Sequence, residues 1–89
     1  TEEELFTELE RTAPHVGPRI ARLRDDHPRL RQRLDALRAS LIGDAPSPDD
    51  AVATSRDRGL ELLDDLLRHR HAGADLLYEA YWVDVATAD

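Results

Sequence analysis

The sequence predicts an all-α fold, in which a long antiparallel helical hairpin with a short N-terminal helix dimerises into a four-helix-like bundle. Two stripes predict the helices, because a spacing that alternates three and four keeps one helix face towards one partner. The first stripe consists of Phe6, Leu9, Ala13, Val16, Ile20, Leu23, His27, Leu30, Leu34, Leu37 and Leu41. The second consists of Val52, Ser55, Gly59, Leu62, Leu66, His69, Gly73, Leu76, Ala80 and Val83. No strand signal interrupts them, and 89 residues suit a single helical domain, 1–89.

A short first helix is predicted over about residues 2–12. Thr1 and Glu4 form a capping box, in which both side chains accept hydrogen bonds from exposed amides at the helix start. Pro14 and the pair Gly17-Pro18 then interrupt the helix, because proline lacks an amide hydrogen and clashes with the preceding turn. The stripe keeps its phase across this break, so we expect a kink before a second helix that runs to about position 42.

Pro28 lies inside the predicted second helix. It removes the hydrogen bond to the carbonyl of Arg24 and should bend the helix beside His27. Because the stripe continues in phase beyond Pro28, we expect a bend between Arg24 and Pro28 and not a loop with a change of direction.

A loop follows the second helix, with Gly43 as the helix stop. The third helix is predicted to begin at Ser47 or Pro48 and to run to about position 85, and Asp49 and Asp50 favour its positive end. Antiparallel folding about the loop would pair residues whose numbers add to about 91.

The third helix has a wider apolar face than one neighbouring helix can cover. That face includes Leu60, Leu62, Leu63, Leu66, Leu67, Leu76 and Leu77. The short first helix can cover some of it, and a second chain is the expected cover for the rest. We therefore predict a homodimer at micromolar concentration, with Leu66 and Leu76 buried.

Composition and charge exclude several classes of function for this chain. The net charge of −7 argues against nucleic acid, whose phosphates the chain would repel. Residues 1–13 carry −4, residues 18–42 carry +4 and residues 48–84 carry −5, a pattern that favours pairing within the chain. There is no cysteine for a disulfide or a thiolate metal site, and no apolar run as long as a membrane span. A soluble cytoplasmic protein is the expectation.

Two histidines interrupt the apolar stripes, in the seam where the two long helices are expected to pack, and they are the first candidate site. Burying an imidazole is unfavourable unless both nitrogens are occupied, so His27 and His69 either have partners or hold a ligand. Glu61 and Asp65 precede His69 by two turns and one turn on the same face, and imidazole with carboxylate can bind a metal ion together. The alternative is a carboxylate that orients a core histidine.

A second candidate group flanks the seam. His71, Asp75 and Glu79 follow one another at one-turn intervals, with His15 at about the same level. A solvated stripe with ordinary pairing between neighbouring turns is the favoured interpretation. Gly73 lies one turn after His69, and its missing side chain leaves space for a ligand or another helix.

The third candidate group is aromatic. Tyr78, Tyr81 and Trp82 lie near the end of the last helix. Packing against the first helix is the favoured interpretation, and a partner-binding surface is the alternative. No catalytic residue is predicted, because the three serines lie in no strand-turn-helix elbow and no glycine-rich phosphate loop is present.

Over about residues 20–82 the chain resembles half of a hemerythrin-like (HHE) domain. The segment DDHPRLRQRLDALRASL is similar to the family's first helix, and LLDDLLRHRHAGADLLYEAY is similar to its second. The resemblance implies a helical bundle with His27 and His69 as ligands of non-haem iron. The family's glutamate one turn after the second histidine falls on Gly73, so Asp75 or Asp65 would have to substitute. The family's usual proline after the aromatic residue is Glu79 here. Because one half is present, a complete site would need two chains.

Three functional hypotheses result. The first is a hemerythrin-like protein that binds iron or a small ligand through the seam histidines, in a sensing or storage role. The second is a helical dimerisation or adaptor module without chemistry, which contacts a protein partner through Tyr78, Tyr81 and Trp82. A small-ligand pocket at the Pro28 kink and Gly73 is a third.

Overall fold

The computed structural model describes the backbone of residues 1–43 and 47–87 and the side chains of residues 1–43 and 47–82. Within these ranges the chain is helical and has no strand, which confirms the predicted all-α class. The elements are α1 (Glu2–Thr12), a 3-10 turn (Pro14–Val16), α2 (Gly17–Ile42) and α3 (Pro48–Thr87). The predicted helix bounds are thereby confirmed to within a few residues.

The start of α1 has the predicted capping box. The Thr1 hydroxyl accepts a hydrogen bond from the backbone amide of Glu4 at 3.2 Å, and the Glu4 carboxylate accepts one from the Thr1 amine at 3.0 Å. The helix ends at Thr12, and the 3-10 turn begins at Pro14, where the missing amide hydrogen leaves no bond unmade.

Helix α2 continues through Pro28 without interruption. The expectation of helix and not loop at this position is confirmed, because a proline in a helix interior frees one carbonyl while its neighbours keep their bonds. The bend between Arg24 and Pro28 stays a prediction.

The chain forms two compact units. Unit 1 comprises residues 1–25 and 69–89, and unit 2 comprises residues 26–68. Unit 1 contains the apolar core, whose members are Phe6, Leu9, Ala13, Val16, Ile20, Leu23, Leu76 and Ala80. All eight belong to the stripes that the sequence predicts, so within unit 1 the stripes are buried as expected.

Unit 2 has a different interior. None of its described apolar side chains is buried, and its one buried residue among those described is Asp65. Leu34, Leu41 and Val52, which belong to the predicted stripes, are exposed. Leu66 is 46% exposed, whereas Leu76 in unit 1 is 1% exposed. Burial of Leu76 is therefore confirmed. Burial of Leu66, which was predicted for the dimer, stays a prediction, because within the described residues of unit 2 no third element covers the two helix segments.

Gly43, the predicted helix stop, is sterically required. A Cβ at this position would lie 2.6 Å from the backbone oxygen of Ala39, closer than unbonded atoms approach. We expect Gly43→Ala to lower the free energy of unfolding by more than about 1 kcal/mol. Gly73→Ala is the control, because a Cβ there meets nothing within 4 Å and alanine is the better helix former. Chemical denaturation measures both changes, and equal effects would contradict the steric explanation.

Candidate functional site

Glu61 and Asp65, two of the predicted metal ligands, lie together in unit 2 and bind Arg33. The Nε atom of Arg33 donates to Asp65 Oδ2 at 2.9 Å, and Nη1 donates to Glu61 Oε2 at 2.6 Å. The Asp65 side chain is only 9% exposed. The hydrogen bond between Arg33 and Asp65 is the main cause of the raised pKa of Arg33, so the guanidinium stays charged. A metal ion at these carboxylates would have to displace Arg33.

His69 lies in unit 1 and pairs with a residue that the sequence did not suggest. Its Nε2 atom donates to Glu2 Oε1 at 2.9 Å, and the imidazole is 15% exposed. A cavity of about 310 Å³ adjoins this pair, with Phe6 and Leu76 among its apolar walls. Gly73 also lines the cavity, and a Cβ there would meet nothing within 4 Å. The predicted space beside His69 is confirmed.

Nothing local in the sequence indicates the contact between Glu2 and His69. Glu2 belongs to a run of three glutamates at the start of α1, where acidic residues are expected for the helix dipole alone. The two residues are 67 positions apart. Only the packing of α1 in unit 1 identifies Glu2 as the partner.

His27 lies in unit 2 and is half-buried. It lines an open groove of about 370 Å³ together with Leu30, Leu34, Leu62 and Leu66, and Arg31 adds its long side chain to this lining. The groove is therefore largely apolar. We call it the unit 2 groove.

The second candidate group consists mainly of solvated side chains. His15, His71 and Asp75 are exposed, and Glu79 is half-buried. The first three residues are thus solvated, as the favoured interpretation expects, and the pairing between neighbouring turns stays a prediction.

The aromatic group forms an exposed patch in unit 1. Tyr78 and Tyr81 are each 67% exposed and Trp82 is 59% exposed. The rings of Tyr78 and Trp82 stack with centroids 6.1 Å apart and planes at 11°. Packing of these residues against the first helix, the favoured interpretation, is wrong, because the core of unit 1 is filled from the opposite face of α3 by Leu76 and Ala80.

The charge pattern of the sequence predicted ion pairs within the chain, and unit 1 contains such pairs. Arg24 Nη2 donates to Glu3 and to Glu10, each at 2.6 Å, and the guanidinium lies 5.7 Å from the centroid of the Phe6 ring. The bonds to Glu3 and then to Glu10 raise the pKa of Arg24. The basic second helix thus attaches to the acidic first helix, as expected.

Among the residues described here, no helix is both long and apolar enough to cross a membrane. Comparison of the chain with family models, with characterised proteins and with solved structures finds no match.

Proposed function

We propose that this chain is a helical association module, which forms a homodimer through unit 2 and contacts a protein partner through its aromatic patch. One observation carries the proposal: apolar residues of unit 2 are exposed, and four of them, Leu34, Leu41, Val52 and Leu66, belong to the stripes whose spacing is that of a buried helix face. The exposed apolar residues of the unit are Leu34, Leu41, Ile42, Val52, Leu60, Leu63, Leu66 and Leu67.

The size of this exposed surface supports association. The exposed fractions run from 37% for Leu34 to 87% for Ile42. With side chains of this size they amount to about 800 Å² over the whole unit, of which the four stripe residues supply about half, and a stable interface takes roughly 800 Å² from each partner.

Within unit 2 we propose an antiparallel hairpin of α2 and α3. The Ser40 and Ser55 hydroxyls are 3.2 Å apart, and Arg33 reaches both Glu61 and Asp65. As residue numbers fall along α2 they rise along α3, which supports an antiparallel pairing. The contacting residues have numbers that add to between 94 and 98, whereas the sequence pattern predicted about 91, a difference of about one to two helical turns.

The aromatic patch is the proposed contact for a protein partner. Tyr78, Tyr81 and Trp82 combine large apolar area with polar atoms, and residues of these types supply much of the binding energy at protein interfaces. Because the core of unit 1 is complete without them, they are available to a partner.

Sedimentation equilibrium of the full chain tests the association. We expect a dimer at micromolar concentration, with a thermal midpoint that rises with protein concentration, because association stabilises the folded form by mass action. A well-folded chain that stays monomeric, with a midpoint independent of concentration, would contradict the proposal.

Metal binding is a second candidate function, favoured by the Glu2 carboxylate that lies 2.9 Å from His69 Nε2. Imidazole and carboxylate together suit iron(II) and other first-row metals, and the ion would replace the proton between the two atoms. The hemerythrin-like interpretation needs a second chain to complete the ligand set. In unit 2 the predicted carboxylate ligands Asp65 and Glu61 are bound to Arg33.

Metal analysis and thermal melts decide on this candidate. If iron binds, His69→Leu should abolish its retention and leave helicity intact, whereas the exposed His71→Leu on the same helix should retain it. If His69 is structural, His69→Leu should be neutral or stabilising, because leucine needs no hydrogen-bond partner. A metal-free wild type together with a stabilised His69→Leu variant would eliminate the metal-binding interpretation.

A further inference from the structure

The two sides of unit 2 differ in chemistry. One side holds the bonds from Arg33 to Asp65 and Glu61, beside a polar recess lined by Arg29, Gln32 and Arg58. The other side holds the unit 2 groove, whose lining is mostly leucine. The groove side therefore offers an apolar surface to another protein.

The predicted stripes turn towards the groove. Arg33 and Asp65 contact each other between α2 and α3. Leu34 and Leu66 each follow by one residue, which rotates them by about 100° around their helices. Both line the groove, and they are 37% and 46% exposed. The stripes therefore point to one side of the neighbouring helix and not directly at it. Stripes point in the same way in a four-helix bundle, where each faces the central axis.

Gly59 gives an independent reason for a close neighbour on this side. It occupies a stripe position between Ser55 and Leu62, inside α3, where glycine weakens a helix. Among the residues that the structure describes nothing explains it, because a Cβ at Gly59 would meet none of their atoms within 4 Å. Close approach of another helix is the ordinary reason for a glycine on a packed helix face.

We propose that the unit 2 groove receives the unit 2 groove of a second copy, so that two pairs of helix segments close a four-helix bundle with Gly59 at a point of close approach. The occupant is a second copy because the bundle needs four stripes of equal spacing, and two copies supply them by a twofold axis. The exposed stripe residues of unit 2, Leu34, Leu41, Val52 and Leu66, supply apolar area that such a dimer would cover. This inference rests on the proposed association and adds the face through which it occurs.

Sedimentation equilibrium of four single variants of the full chain tests the face. Leu66→Gln should raise the dimer dissociation constant about tenfold or more, because the glutamine amide would be buried among leucines. Leu60→Gln is the matched control, since Leu60 is similarly exposed but lies about 160° around the helix from Leu62. It should change the constant by less than about twofold.

The glycine pair gives a second measurement that does not depend on a polar substitution. Gly59→Ala and Gly73→Ala both remove a helix-weakening glycine, and neither new Cβ meets an atom within its own chain. Gly59→Ala should weaken the dimer, whereas Gly73→Ala should leave the dissociation constant unchanged. Circular dichroism of each variant confirms that the helices are intact.

The outcomes separate this inference from the association itself. A wild type that is monomeric at every concentration overturns both. A wild-type dimer that Leu66→Gln and Gly59→Ala do not weaken overturns the groove alone, and the association stands. If Trp82→Gln abolishes the dimer and Leu66→Gln does not, the interface lies at the aromatic patch. That result would also overturn the proposal for the groove.

Discussion

We expect Phe6→Ala to lower the free energy of unfolding by about 3–5 kcal/mol. Phe6 is 2% exposed in the core of unit 1, and its ring also lies under the Arg24 guanidinium. Truncation leaves a cavity that Val16 and Ile20, themselves fully buried, cannot fill without moving. Chemical denaturation followed by circular dichroism measures the loss.

Leu5→Ala is the matched control for this substitution. Leu5 is the adjacent residue on the same helix but is 37% exposed, so its truncation removes fewer contacts. The loss should be clearly smaller than for Phe6→Ala. Equal losses for the two variants would show that α1 does not bury Phe6 in the stable state of the protein.

The second large effect is expected at Asp65. Asp65→Ala should lower the free energy of unfolding by about 1–3 kcal/mol, because it removes the bond to Arg33 Nε where the carboxylate is 9% exposed. Arg33 keeps its bond to Glu61. The loss should therefore stay below that of Phe6→Ala.

Asp64→Ala provides the comparison for Asp65. Asp64 pairs with Arg68 at 2.8 Å, but both side chains are largely exposed, and such pairs contribute about 0–1 kcal/mol. Urea denaturation of the two variants should rank Asp65→Ala as the more destabilised. The reverse order would mean that the bond between Arg33 and Asp65 does not stabilise unit 2.

Local signals predicted the helix bounds well. Capping at Thr1, prolines at Pro14 and Pro48, and the steric requirement at Gly43 each act on the residues beside them, so the sequence alone is sufficient. The stripe predicted burial equally well in unit 1, where α1 and the 3-10 turn complete the packing, as Ile20 illustrates.

In unit 2 the same periodicity does not correspond to burial within the single chain. Leu34 and Leu66 have the spacing of buried residues, yet they are exposed in the single chain. Periodicity tells which residues share a helix face and not how many helices cover that face. In unit 2 the contact between the helices is made by Arg33 and Asp65, whereas Leu34 and Leu66 line the groove.

The candidate site was only partly predictable for a related reason. The sequence identified His69 and the open space at Gly73, since both follow from the stripe. It could not identify Glu2 as the partner of His69 or Arg33 as the partner of Asp65. Such pairs depend on which side chains of different helices come within hydrogen-bond distance of each other. The spacing of residues in the sequence does not give that information.

The arrangement of the core also constrains how the chain folds. Phe6 and Leu23 come from one segment of unit 1 and Leu76 and Ala80 from the other, with the whole of unit 2 between them in sequence. Joining the two segments has to overcome the entropy of closing a long loop, although α-helical chains usually fold through local contacts. During synthesis the ribosome must pass Ala80 before this core can close, so until then Phe6 and its neighbours are without their final cover.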